Sequence, residues 1–242
     1  MFLPIGDDIE REAAPFQFLT MLFVSGCVLA FGWEISLPEE TAWDQIIPFT
    51  MIPAVVFGYE QLPWEMMVIP PEFTMVTSMF LHGGWEHLIG NMIFLWVFGS
   101  SVEEATGHVR FFFLYLLAGL AASFGHIMLD PTSSVPTLGA SGAISGIMGA
   151  YLLVYPFNRI KVLMIVTHVV VIRVPALLWI GGWIVWQCAE IWMAAAAPQP
   201  EQAGGVAWTA HVAGFVAGMF LIVFLRRPGI KLMGETAKVA TE

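Results

Sequence analysis

Six apolar runs of bilayer-crossing length dominate this chain, at residues 15–33, 73–99, 111–129, 138–157, 174–197 and 206–225. A helix needs about 20 apolar residues to cross the hydrocarbon core. Within that core every backbone polar group has to be paired inside the protein, which leaves helices or closed barrels. The expected fold class is therefore all-α, a polytopic membrane bundle of six transmembrane helices. Composition agrees, because only 12% of residues are charged and 58% are hydrophobic, whereas a soluble domain carries about 25% charged residues. No basic patch is rich enough for a nucleic-acid partner, so the surrounding partner is the lipid bilayer.

The basic residues orient the bundle. With the N terminus inside, the inner segments hold Arg11, Arg110, Arg159, Lys161, Arg173, Arg226, Arg227, Lys231 and Lys238, which are all nine Lys and Arg residues. The outer loops hold none, while residues 34–72 alone carry seven acids. The positive-inside rule then puts both termini in the cytoplasm. Residues 1–14 lack the basic start of a cleavable leader and read as a cytoplasmic segment. Residues 15–225 form one membrane domain, and residues 226–242 a cytoplasmic tail. A bacterial inner membrane fits the compact six-span form, with an organelle membrane as the alternative. Two further apolar stretches, 46–58 and 162–172, are too short to span and fit interfacial or re-entrant pieces. The loop 198–205, rich in Pro, Gly and Gln, reads as a mobile outer connection. Cys27 and Cys188 sit in apolar runs without metal-ligand spacing and read as small buried hydrophobes.

Chemistry concentrates on three runs. In the fourth, Ser141, Ser145 and Gly149 share a helix face, with Gly142 and Gly146 as a GxxxG pair beside it. Such faces let helices approach closely in lipid, and close packing is the plain reading of them. In the sixth, His211, Gly214 and Gly218 share a face. An ionisable residue within a span usually faces the bundle interior or a wet cavity. Neutral imidazole there can accept the hydroxyl proton of a serine and so activate it. Both runs start outside, so Ser141 and His211 lie at similar depth. The second run adds His82, His87 and Asn91 in its outer half, with His87 and Asn91 four apart on one face. Imidazole and amide donors suit a developing oxyanion, together with a backbone N–H at the nucleophile. The competing use, a metal site from His82, Glu86, His87 and His211, is disfavoured because His-x4-His makes the imidazoles diverge.

Taken together, these residues resemble the rhomboid family of intramembrane serine proteases. The matching pieces are His82-Gly-Gly-Trp-Glu-His87-Leu-Ile-Gly-Asn91, Gly139-Ala140-Ser141-Gly142 and Ala210-His211-Val-Ala-Gly214, with 98–107 also similar. The resemblance implies a Ser141–His211 dyad with no third acid residue and no cofactor or metal. It implies that His87, Asn91 and the Ser141 backbone N–H receive the oxyanion, with His82, Gly139, Gly142 and Gly214 in support. Substrates would be other membrane proteins, cleaved in or near their transmembrane segments. Relatives that bind membrane segments without cutting them lack the serine or the histidine, and both are present here. A small transporter using the outer polar cavity is a further alternative, although transporter sites lie near the midplane. One departure bears on the site: family members often carry an aromatic ring four residues after the nucleophile, packed on the histidine, where this chain has Ser145.

Overall fold

The computed structural model describes residues 2–9, 11–12, 14, 16–165, 168–196 and 207–234. Its helices are α1 (Phe18–Glu34), α2 (Glu39–Ile46), α3 (Pro53–Val56), α4 (Thr74–Thr77), α5 (Trp85–Phe94), α6 (Ser100–Thr106), α7 (His108–Leu129), α8 (Ser141–Val154), α9 (Ala176–Ala196) and α10 (Trp208–Leu225). A π-helical turn, Leu95–Gly99, joins α5 to α6. The protein is mostly helical, as its sequence pattern predicts. Among the described residues three helices, α7, α9 and α10, are long and apolar enough to cross a membrane, while α1 and α8 are apolar but shorter. The loop expected at 198–205 lies outside the described residues, as do residues 235–242 of the expected tail.

Helices α7, α8 and α10 pack through small residues. An added Cβ at Gly214 would strike the carbonyl oxygen of Gly142, and one at Gly218 the carbonyl oxygen of Gly146. On α7, the Cβ atoms of Ala118 and Ala122 fill the space over Gly146 and Gly142. Repeats four residues apart thus interlock in register, which lets the backbones meet as van der Waals packing in lipid requires. Helix α9 lies at the periphery: of its residues, Ala176, Ile180 and Gln187 are buried. Cys188 is exposed on its outer side, not buried like Cys27.

Three features depart from the sequence expectation. The run 162–172 lies within a β-hairpin, β2 (Arg159–Ile165) and β3 (Val169–Pro175), in place of an interfacial or re-entrant piece. Strand β1 (Phe2–Asp7) pairs antiparallel with β2, so the sheet order is β1-β2-β3. Burial drives the docking: Pro4, Asp7, Ile160 and Val162 share the face turned to the bundle and are buried. Asp7 accepts hydrogen bonds from Ser101 Oγ (2.5 Å), Tyr151 Oη (3.0 Å) and Arg11 (3.2 Å). Burial nevertheless holds its carboxyl above the ordinary carboxylate pKa, the hydrogen bonds and Arg11 pulling the other way.

The run 73–99 is likewise not one helix. It opens with short turns of helix and breaks at residues 81–84, where Gly84 has φ +156°. The His82 N–H bonds to the Glu34 carboxylate at 3.1 Å, so the backbone is satisfied by a side chain and not by a helical ladder. A second carboxylate acts similarly on α1. Its own N-cap residue, Gln17, makes no side-chain cap bond. Instead the fully buried Glu103 accepts from Leu19 N–H (2.9 Å), Thr20 N–H (2.8 Å) and Thr20 Oγ1 (2.7 Å). An anion is also favoured there by the helix dipole.

Candidate active site

Ser141 is the first residue of α8, so its N–H is one of the four that a helix start leaves without an intrahelical partner. The turn before it needs Gly139. That residue has φ +126°, and a Cβ there would lie 2.7 Å from the His87 ring and 3.7 Å from Ser141 Oγ. The His87 ring edge and the serine hydroxyl thus lie around one point beside Gly139. Gly139 N–H is anchored on the Ser78 carbonyl at 2.8 Å.

His211 reaches this serine from α10. Its Nε2 lies 2.8 Å from Ser141 Oγ, and its Nδ1 lies 2.7 Å from Gln187 Oε1 on α9. His211 is 8% exposed. Small residues make the distance possible: Gly142, directly after Ser141, and Gly214, one turn after His211, bring the two helices together. Ser145 turns its hydroxyl back onto the Ser141 carbonyl at 2.6 Å and does not support the ring. The aromatic neighbour comes from elsewhere. Trp183 on α9 stands 5.8 Å from the His211 ring at 37°, and it also contacts Phe215. Sequence reading missed both Trp183 and Gln187. The available signal for the latter is a lone amide in the apolar run 174–197.

Helix α5 brings His87 and Asn91. Asn91 is buried, and its Nδ2 has no hydrogen-bond partner among the described residues. His82 precedes the helix in the 81–84 break; its Nδ1 is 3.1 Å from the Phe80 carbonyl and its ring stands edge-on to His87 at 5.2 Å. It therefore buttresses the His87 ring and does not share its helix face. His126 ties α7 to the neighbourhood, with Nδ1 2.6 Å from Thr209 Oγ1 and Nε2 3.4 Å from Thr137 Oγ1. Among the described residues no three His, Cys, Asp or Glu side chains are grouped to hold a metal ion.

The arrangement offers a hydroxyl whose proton can pass to a neutral imidazole, with amide and imidazole groups nearby. For Nε2 to accept that proton, the ring has to carry its hydrogen on Nδ1. An amide oxygen at Nδ1 matches that tautomer.

The Rhomboid domain model matches residues 71–228, well over half of the chain. The chain is 28% identical over 183 residues to Rhomboid protein 1, mitochondrial, of Saccharomyces cerevisiae, covering 69% of this chain and 49% of that protein. It is 30% identical over 162 residues to RHOMBOID-like protein 5 of Arabidopsis thaliana, covering 64% of this chain and 44% of that protein. It is 41% identical over 85 residues to Rhomboid protease GluP of Bacillus subtilis, covering 35% of this chain and 16% of that protein. The matched stretch spans less than half the length of each of these curated relatives.

Proposed function

This chain belongs to the rhomboid family of membrane proteins, and we propose that it is an intramembrane serine endopeptidase acting through a Ser141–His211 dyad. The observation that carries the proposal is the 2.8 Å approach of His211 Nε2 to Ser141 Oγ between two glycine-lined helices. In the proposed reaction Ser141 Oγ attacks a substrate peptide carbonyl while His211 Nε2 takes the hydroxyl proton. The oxyanion is received by the Ser141 N–H, His87 and Asn91 Nδ2, which has no partner among the described residues. Collapse breaks the C–N bond, and His211 returns its proton to the leaving amine. Water then attacks the acyl-enzyme, again giving a proton to His211, and releases the acid product with Ser141 regenerated.

Substrates are proposed to be transmembrane proteins cut in or near their membrane segments. Helix α8 has 14 residues, about 21 Å at 1.5 Å per residue. The hydrocarbon core is about 30 Å thick. Its C-terminal end at Val154 leads, within seven residues, to Arg159 and Lys161 on the basic side. A helix starting from that side stops roughly 9 Å short of the opposite boundary, which supports the reading of Ser141 as lying below the outer surface. The charge bias supports cytoplasmic termini. A bacterial inner membrane is the proposed location, although relatives are named for mitochondria and chloroplasts as well as found in Bacillus.

An inactive rhomboid-like protein is the competing reading, and Ser141 and His211 at bonding distance favour the enzyme. The test is cleavage of a transmembrane reporter in liposomes by wild type, Ser141→Ala and His211→Ala. Wild type should cut and both variants should lose the activity. A folded wild type that cuts none of a panel of reporters and reacts with no serine-directed probe sinks the proposal.

A further inference from the structure

We propose that Gln187 on α9 is a positioning residue for the dyad, fixing the Nδ1–H tautomer of His211 while Trp183 walls the ring. The inference rests on the protease reading for its consequence, but on a different hydrogen bond for its geometry. A neutral imidazole carries one hydrogen, and which nitrogen holds it is set by the partner of the other. The Gln187 oxygen, 2.7 Å from Nδ1 and buried, accepts from Nδ1–H and leaves Nε2 bare toward Ser141. Without that acceptor the Nδ1–H would be buried and unmatched, or the hydrogen would move to Nε2 and disable the base.

A neutral amide also suits its surroundings. A carboxylate in this role would put a charge inside an apolar span, which is expensive in lipid. The ring support has moved to the same helix. Ser145 bonds its own helix backbone, so nothing aromatic stands one turn after Ser141. Ala176, Ile180, Trp183 and Gln187 are spaced by four, three and four on an inward stripe of α9, with Trp179 and Ile184 also packed against the core beside it. Most of the rest of α9 is exposed, with Leu178, Val185, Trp186 and Trp192 all more than half open. Both groups that hold the far side of the ring thus come from this peripheral helix.

The test uses the full chain, labelled with 15N-histidine, in wild-type and Ser141→Ala backgrounds, with the His211 signal identified by its loss in His211→Ala. Nδ1 should appear as the protonated nitrogen in both backgrounds. Gln187→Leu should mix the tautomers and lower kcat about 10–100-fold with KM within about twofold, the factor an unmatched buried N–H implies. Gln187→Glu, which keeps an oxygen at the same reach but brings an acid into the apolar span, should restore the Nδ1–H signal and keep more of the rate than Gln187→Leu. Gln187→Met serves the same purpose as the leucine variant if that one does not fold. Unchanged tautomer and kcat in a folded Gln187→Leu or Gln187→Met protein overturn the inference while leaving the protease standing. If instead wild type cleaves nothing but the Nδ1–H signal still depends on Gln187, the positioning holds and the protease reading falls.

Discussion

Replacing Gly218 by Ala tests whether the distance between α8 and α10 sets the reactivity of Ser141. A Cβ at residue 218 would lie 2.6 Å from Gly146 Cα and closer still to the Gly146 carbonyl. Carbon atoms in contact prefer about 3.5–4.0 Å, so the helices have to part by about 1 Å. Neither side can yield by side-chain rotation, because both contacts are backbone. Carried along α10, that shift stretches the 2.8 Å Nε2···Oγ distance to about 3.8 Å, beyond a hydrogen bond. A misplacement of about 1 Å in a catalytic constellation can lower the rate about 100-fold. Overpacking itself costs about 1–3 kcal/mol. The assay pairs thermal unfolding in detergent with initial rates on a transmembrane reporter. Gly32→Ala is the control: nothing lies within 4 Å of its added Cβ, so it should stabilise α1 by about 0.5–1 kcal/mol through helix propensity. Wild-type stability and cleavage in Gly218→Ala would refute the argument that glycine contact holds the dyad together.

Other changes read out separate parts of the structure. Asn91→Ala should lower turnover about 10–1000-fold, the range for a lost oxyanion donor, with the melting temperature held, as checked by kinetics beside a thermal scan. Glu103→Ala removes the acceptor for two N–H groups and a hydroxyl at the start of α1; at about 1–3 kcal/mol for an unmatched buried donor, unfolding should come measurably earlier, seen by differential scanning fluorimetry. Asp7→Asn addresses pH. Burial raises the Asp7 pKa in the folded state, so the folded protein binds this proton more tightly than the unfolded chain. The wild type should therefore gain stability over Asp7→Asn as pH falls from neutral through that raised value, levelling off below the ordinary 3.8. A stability difference between the two proteins that stays flat from pH 7 to 4 would contradict the assignment.

Much of the site was legible because its chemistry repeats along the chain. Ser141 and His211 each stand in runs of glycine and alanine, and helical spacing alone put the glycines where α8 meets α10. What escaped sequence reading depends on distant partners. The break before α5 follows from a backbone N–H held by Glu34, 48 residues away, and no local period announces it. Residues 162–165 and 169–172 of the hairpin β2–β3 are apolar on both faces, so that stretch lacks the alternation that marks a half-buried strand. Strand β1 is docked by Asp7 against Ser101 and Tyr151, contacts visible only once the bundle is assembled. Gln187 was the costliest omission. A single amide in an apolar helix has no motif, and only the fold shows which residue its oxygen meets.

The central claim is that Ser141 is a nucleophile activated by His211, and covalent labelling tests it most directly. Full-length protein in liposomes is treated with a fluorophosphonate, digested and mapped by mass spectrometry. The account predicts one adduct, on Ser141, that disappears in His211→Ala although Ser141 is still present. An adduct on another serine, or equal labelling of Ser141 without His211, would contradict it.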